Sequence, residues 1–159
     1  MVRPHEVVTL EPIGAVVGGR ADAVDDHWGG VAATIVLDAQ RFPSSATDGL
    51  DEFSHVEVVY LFHRVDPATV TIGARHPRGR EDWPAVGIFA QRAKMRPNRI
   101  GVSRCELLAV DGLALHVRGL DAIDGTPVLD VKPWMDEFGP RGAVRQPGWS
   151  RELMREYWE

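Results

Sequence analysis

The sequence predicts an all-β or β-rich fold, and two features of the chain indicate it. Glycine (16) and proline (11) are spread evenly along the 159 residues, and the short apolar runs between them carry little helical period. In the clearest run, His55–Val65, the two-residue period of a strand places Val56, Val58, Tyr60 and Phe62 on one face. We therefore expect short strands separated by turns, with that face in the core.

The other elements are predicted from apolar runs and turn residues. Strands are expected at residues 7–17, 31–37, 86–90, 100–108, 113–120 and 128–131. Asp111-Gly112 is a hairpin signal between two of these runs, and the polar segment Ser44–Phe53 suits one or two helical turns. Two charged segments, 20–30 and 69–83, are expected to be loops, the second of them exposed.

The C-terminal sequence predicts a short amphipathic helix. Trp149, Leu153 and Tyr157 recur every four residues, and Ser150 is a candidate N-cap. Such a helix would pack its apolar face either on the body of the protein or on a second subunit.

Composition excludes several classes of protein. The chain is 44% hydrophobic with a formal net charge of -5, so it can bury a core but lacks a generally basic nucleic-acid-binding surface. A local basic patch remains compatible with that charge. No apolar run of membrane-spanning length or signal-peptide centre is visible, and the single cysteine, Cys105, is interpreted as a core residue. We expect one domain over residues 1–159, in the cytoplasm.

The titratable residues form no familiar catalytic motif. Six histidines lack metal-ligand spacing, and His55 and His63 lie about 26 Å apart at strand rise, so no metal site is expected. Asp124 and Asp130 could act as paired catalytic acids, although an Asp-Gly sequence more often marks only a turn. Catalytic residues are therefore left unassigned.

The segment Ile88–Ser103 holds an unusual concentration of positive charge. Its four cations are Arg92, Lys94, Arg96 and Arg99. Guanidinium groups can bind a carboxylate or phosphate bidentately. The Pro-Asn pair at 97–98 favours a shaped turn, with the residue before proline held extended. The alternative interpretation is a solvated basic loop without a ligand.

Four stretches in order carry a family resemblance. They are Pro12–Gly14 (PIG), Leu50–His63 (LDEFSHVEVVYLFH), Val86–Ser103 (VGIFAQRAKMRPNRIGVS) and Leu120–Trp134 (LDAIDGTPVLDVKPW). Together they resemble the TrmO/TsaA-like family, also called the YaeB-like family, of S-adenosylmethionine-dependent tRNA methyltransferases. The resemblance implies a short member: a single β-barrel with short peripheral helices, core motifs in 12–134 and a C-terminal tail at 135–159.

The resemblance also implies a cofactor, an acceptor and an assembly. S-adenosylmethionine would be bound near the interface of a homodimer, and the acceptor would be N6 of threonylcarbamoyladenosine beside the tRNA anticodon. The implied cofactor-binding residues are Gly29, Gly30, His63, Arg92, Val102, Asp124, Gly125, Thr126 and Pro127.

The acceptor site is less closely matched to the family. Lys94, Arg96 and Arg99 are candidates to grip tRNA phosphates, and Asp130 and Lys132 are candidates to contact the acceptor. Trp83 or Trp134 could stack on an exposed base. The family's A-T-R-S and R-P-N-P are AQRA and RPNR in this chain, which leaves two alternatives: a non-tRNA acceptor, or a non-enzymatic S-adenosylmethionine sensor.

Overall fold

The computed structural model describes residues 6–159, and its centre is a closed barrel of six antiparallel strands. The described strands are β1 (Gly14–Val17), β2 (Ala32–Leu37), β3 (His55–Leu61), β4 (Ala74–Arg75), β5 (Val86–Gly87), β6 (Ile100–Asp111), β7 (Ala114–Arg118) and β8 (Pro127–Pro133), and a short helix, α1, spans Gly148–Leu153. This architecture confirms the predicted β-rich fold and the barrel that the resemblance implies. His5 lies outside the described residues.

The order of the strands brings the two longest motifs together. Around the barrel the order is β1-β2-β7-β6-β3-β8, with β8 pairing to β1, while β4 and β5 form a separate two-stranded sheet. Strand β3 lies between β6 and β8, and Val59 stands opposite Val102 on one side and Asp130 on the other. Gly112 has a φ of 56° in the turn between β6 and β7, which confirms the predicted hairpin.

The barrel interior is filled by the alternating residues of its strands. Val56 and Val58 are fully buried and Tyr60 is 2% exposed, as the period of two predicts, whereas Phe62 lies past the end of β3 and is half-buried. Cys105 is also a core residue, as predicted. Burial raises the pKa of its thiol to about 12, so the group stays protonated.

Two glycines of the quoted motifs are required by close packing. A Cβ on Gly14 would lie 2.2 Å from the carbonyl oxygen of Val36 on the neighbouring strand. A Cβ on Gly101 would lie 2.5 Å from the ring of Tyr60. Larger residues at either position would push apart paired strands or the core ring.

Several predicted strand boundaries are wrong. The run at 7–17 forms a strand only over β1, and the run at 86–90 forms β5 followed by a 3₁₀ turn at Ile88–Ala90. The long β3 run ends at Leu61, where the chain turns so that the Phe62 amide donates to the carbonyl of Arg99 at 2.8 Å. Apolar composition alone does not reveal where a strand loses its pairing partner.

The peripheral helices and loops agree in part with expectation. Short 3₁₀ helices at Ser44–Thr47 and Leu50–Glu52 confirm the predicted helical turns. Helix α1 begins earlier than predicted, at Gly148, so Ser150 is not its N-cap; the hydroxyl of Ser150 donates instead to the carbonyl of Pro147 at 2.7 Å. The loop at 69–83 was predicted to be exposed, yet Trp83 within it is 4% exposed.

No helix within residues 6–159 is both long enough and apolar enough to cross a membrane.

Candidate functional site

The loop before β6 is held in a fixed shape by its own side chains. Asn98 and Arg99 have φ values of 63° and 52°, and Arg96 is extended before Pro97, as predicted for this turn. Arg96 donates to the carbonyl of Gln91, and Arg99 donates to the carbonyl of Val65, each at 2.8 Å. Both arginines therefore brace the backbone with part of their donor sets.

Gln91, where the family has threonine, anchors the loop from inside. Its side chain is 7% exposed, and Nε2 donates to the carbonyls of Arg75 at 3.0 Å and Val86 at 2.9 Å. The Gln91 amide thus links the loop to both β4 and β5. Its Oε1 is buried without a partner in the structure.

Arg92 and Val102, two predicted cofactor contacts, lie together. The Nη2 group of Arg92 donates to the carbonyl of Val102 at 2.9 Å, and the Arg92 side chain is exposed. One hydrogen bond leaves the other guanidinium N–H groups available. Lys94, two residues further on, is exposed as well.

The turn Asp124–Pro127 is fixed against β1. The Gly125 amide donates to the carbonyl of Val16 at 2.8 Å, and Gly125 has a φ of 79° that suits glycine. The Asp124 carboxylate accepts from the amide of Gly18 at 2.8 Å, and Thr126 is 2% exposed. Pro127 is the first residue of β8.

His63 lies beside this turn. A Cβ built on Gly125 would be 4.0 Å from Nε2 of His63, so an open edge of backbone faces the imidazole. The structure thus brings together His63 and Gly125, and separately Arg92 and Val102, at neighbouring strands of the barrel.

Gly29 and Gly30 occupy a tight turn in which the Val31 amide donates to the carbonyl of Trp28 at 3.1 Å. A Cβ on Gly29 would lie 2.0 Å from the carbonyl oxygen of Trp158, whereas Gly30 faces open space. Gly29 is therefore covered by the C-terminal segment, and Gly30 is the open member of the pair.

Asp130 and Lys132 are neighbours on the outer face of β8. They form an ion pair with each other, and the Asp130 carboxylate also accepts from the amide of Val131 at 3.0 Å. Because Asp130 stands opposite Val59, which itself pairs with Val102, the proposed acceptor contacts and one cofactor contact share this sheet face.

Residues 26–139 match the family model described as the tRNA-methyltransferase O N-terminal domain. The chain belongs to this family. The match contains all fourteen residues that the sequence singled out for the cofactor and the acceptor.

The relatives of this chain differ in length. The chain is 34% identical over 137 residues to a Methanothermobacter thermautotrophicus protein named as a probable S-adenosyl-L-methionine-binding protein, covering 85% of this chain and 96% of that protein. It is 35% identical over 105 residues to a human tRNA (adenine(37)-N6)-methyltransferase, covering 66% of this chain and 23% of the human protein. The chain therefore spans under a quarter of the human relative.

A solved structure of the family has the same fold. The crystal structure of TrmO from Pseudomonas aeruginosa matches with a TM-score of 0.70 and 27% identity, over 88% of this chain and 62% of that chain.

Sequence reasoning missed a cluster around Asp121, a residue of the TrmO-like motif that precedes the Asp-Gly turn. The phenol of Tyr60 shares its proton between the backbone carbonyl of Asp121 at 3.0 Å and the Asp121 carboxylate at 3.1 Å, and the phenol of Tyr157 donates to the other carboxylate oxygen. Burial, followed by the charge of Asp121, raises the pKa of both phenols, and the Arg92 guanidinium opposes that rise. Both tyrosines are thus protonated donors.

Both tryptophans proposed as stacking platforms have a ring face covered by an arginine, and Trp83 is in addition only 4% exposed. Arg80 covers Trp83 with its guanidinium 4.0 Å from the ring centroid, and Arg104 covers Trp134 at 4.1 Å. Phe89 is 77% exposed, three residues before Arg92, and is the better candidate. The sequence concealed it because Phe89 was placed in a predicted strand.

We also considered a metal site and a surface hollow in this TrmO family member. Among residues 6–159 no group of three or more His, Cys, Asp and Glu side chains is placed to hold a metal ion. A surface hollow of about 580 Å³ is lined by the segment 20–27, which contains none of the predicted cofactor contacts. We place no site in that hollow.

Proposed function

We propose that the protein binds S-adenosylmethionine and transfers its methyl group to N6 of threonylcarbamoyladenosine beside a tRNA anticodon. The observation that carries the proposal is the meeting of the two longest family motifs across β3, where Val59 pairs with Val102 and Asp130. The family membership and the names of its relatives support the same activity.

The residues present suit the cofactor chemically. Arg92 is exposed and uses one N–H on the Val102 carbonyl, so other N–H groups can meet the cofactor's carboxylate. The turn at Gly125 lacks a side chain where it faces His63, which leaves room for close approach to backbone edges. Thr126 is buried, its amide donates to the carbonyl of Ile123 and its carbonyl accepts from the amide of Val16, so it holds the turn in shape from inside.

Holding two reactants in line is the main task that this reaction sets. S-adenosylmethionine, when bound, would supply a methyl group on a positively charged sulfonium: the sulfur–methyl bond would break as the N6–methyl bond forms, N6 would lose its proton to water, and the neutral thioether would leave. Arg92 and the turn Asp124–Pro127 fix one reactant, while Asp130 and Lys132 on the same side of the barrel contact the acceptor. Positioning of this kind needs no metal or covalent nucleophile.

The test of cofactor binding is calorimetric titration of the wild type and Arg92→Ala with S-adenosylmethionine. Losing a charge-assisted contact should weaken binding by about tenfold or more. Arg118→Ala is the matched control, because the Arg118 guanidinium forms an ion pair with Glu106 and is not among the predicted cofactor contacts, so its loss should leave affinity unchanged. Equal affinity in wild type and Arg92→Ala would show that Arg92 does not hold the cofactor.

RNA binding would use the cations of the loop before β6. Arg96 and Arg99 also brace the loop, so replacing them would change its shape as well as its charge. Lys94 is exposed, and Lys94→Ala is the cleaner test. This substitution should weaken binding of an anticodon stem-loop. It should also reduce the slope of log affinity against log salt concentration by about one. An unchanged salt slope counts against a phosphate contact at Lys94.

We further propose that the protein acts as a homodimer. Exposed apolar side chains support this assembly, among them Phe138 at 76%, Met135 at 41% and Val102 at 36% exposed. Light scattering at micromolar concentration tests it, and a monomer mass there would contradict it.

A second candidate function keeps the cofactor but not the RNA. The net charge of -5 and the likeness to a relative named only for S-adenosylmethionine binding favour it. Incubation with labelled cofactor and tRNA that carries threonylcarbamoyladenosine separates the two. Transfer of label to the RNA supports the methyltransferase, whereas binding without transfer to that tRNA supports the second candidate.

A further inference from the structure

The C-terminal arm, residues 148–159, lies against the same end of the barrel as the predicted cofactor contacts. The His27 amide donates to the carbonyl of Glu156 at 3.0 Å, and the Trp28 amide donates to the carbonyl of Tyr157 at 2.8 Å. The carbonyl of Trp158 fills the space beside Gly29. All of this arm lies beyond residue 139, where the match to the family model ends.

The arm is attached at a second point through its helix. Glu152 of α1 accepts a hydrogen bond from Nε1 of Trp83 at 2.9 Å. Arg78, in the same loop as Trp83, binds the Asp26 carboxylate through two nitrogens at 2.7 and 2.9 Å. The arm, the loop around Trp83 and the loop around Asp26 therefore brace one another.

A third contact reaches the interior of the site. The phenol of Tyr157 donates to the Asp121 carboxylate, which also accepts from Tyr60 of the barrel core. Asp121 lies three residues before the turn that begins at Asp124. Arg92 donates to the carbonyl of Val102, whose partner on β3, Val59, directly precedes Tyr60.

We propose that Tyr157 is a positioning residue for the adenosyl cofactor, acting through Asp121 on the turn Asp124–Pro127. Tyr157 does not itself contact the cofactor. Tyr157 holds one carboxylate oxygen of Asp121, while Tyr60 binds both the other carboxylate oxygen and the Asp121 carbonyl, so the two phenols restrain the side chain and the backbone that leads into the turn. The inference rests on the proposed function, because the ligand is the cofactor assigned there.

The test uses Tyr157→Phe, which keeps the ring and removes only the hydroxyl. Ser150→Ala is the matched control, because it also removes one hydroxyl of the arm. The hydroxyl of Ser150 donates to the carbonyl of Pro147, the residue just before the arm, and not to the barrel. Titration with S-adenosylmethionine should show about tenfold weaker binding for Tyr157→Phe, the ratio that one net hydrogen bond is worth. Ser150→Ala should bind as the wild type does.

A second measurement needs no cofactor. In Tyr157→Phe, amide exchange should rise at Asp124 and Gly125, whose amides donate to the carbonyls of Arg20 and Val16. It should stay unchanged at Leu37, whose amide donates to the carbonyl of Leu113 at 2.9 Å on another part of the barrel. A merely structural role would raise exchange at all three positions together, and that result would overturn the inference.

The outcomes distinguish the two proposals. Wild-type affinity in Tyr157→Phe, or an equal loss in Ser150→Ala, overturns the positioning role and leaves the proposed function intact. Absence of binding by the wild type overturns cofactor binding; faster exchange confined to the turn would still support the link from Tyr157 to the turn. No binding together with unchanged exchange overturns both.

Discussion

Replacing Gly29 by alanine tests whether the C-terminal arm is docked on the barrel, because Gly29 lies outside the arm and packs against its Trp158. The added Cβ would lie 2.0 Å from the oxygen and 2.9 Å from the carbon of the Trp158 carbonyl. Both are backbone atoms, so the arm itself has to move. Gly29 is not among the residues with positive φ, so alanine adds no backbone strain at this position.

The magnitude follows from the contacts that the arm would lose. Release of residues 156–158 breaks the two amide hydrogen bonds to the arm carbonyls and the bond from Tyr157 to Asp121. Three hydrogen bonds at about 1 kcal/mol each give about 3 kcal/mol. Alanine recovers up to about 1 kcal/mol by restricting the unfolded chain. The net loss of about 2 kcal/mol should lower the melting temperature by about 4–8 °C in a chain of this length.

Thermal unfolding followed by circular dichroism measures this loss, with Gly30→Ala as the control. Gly30 is the neighbouring residue, has no positive φ and has nothing within 4 Å of its Cβ position. The control should therefore unfold at or slightly above the wild-type temperature. Trypsin should cleave after Arg155 faster in Gly29→Ala than in Gly30→Ala. Equal melting temperatures for the two variants would refute the docked position of the arm.

Three further predictions follow from single features. Phe89→Ala should weaken binding of an anticodon stem-loop by about tenfold, because a base loses its stacking partner; unchanged affinity in a filter-binding assay would exclude that role. Gln91→Thr should lower the free energy of unfolding in urea by about 2 kcal/mol, because two backbone carbonyls lose their donor; a wild-type urea midpoint would contradict it. The free energy of unfolding should fall as pH rises from 9.0 towards about 12, because the buried thiol of Cys105 stays protonated while the unfolded thiol ionises; Cys105→Ala should show a shallower decline in denaturant melts at several pH values.

Local patterns in the sequence were enough to predict the barrel strands that have clear alternation or clear turns. The buried face of β3 follows from its period of two, and the hairpin at Gly112 follows from an Asp-Gly turn. The prediction fails where a strand's length depends on its partner, as at residues 7–13 and 88–90. Pairing is a property of two segments, and one segment does not carry that information.

The candidate site could be predicted only as far as its motifs. Motif likeness singled out Arg92 and Val102 separately, and the structure adds that one donates to the carbonyl of the other. The pair of Tyr157 and Asp121 spans 36 residues and joins the tail to the barrel, so neither spacing nor composition indicates it. Tyr157 was predicted only as an apolar helix residue, because the pattern that marks an amphipathic helix does not report where its hydroxyl points.

The geometry of the loop before β6 bears on the alternative interpretation of this loop as a solvated basic segment without a ligand. Solvated cations repel one another and gain most by remaining mobile in water. Here Arg92, Arg96 and Arg99 each donate to a backbone carbonyl at 2.8 or 2.9 Å, which holds three like charges at fixed positions. The carbonyl dipoles offset part of the repulsion, and Lys94 in the same loop is exposed. Fixed cations lose less conformational entropy when an anion binds, which supports the proposed contacts of this loop with a carboxylate or phosphate.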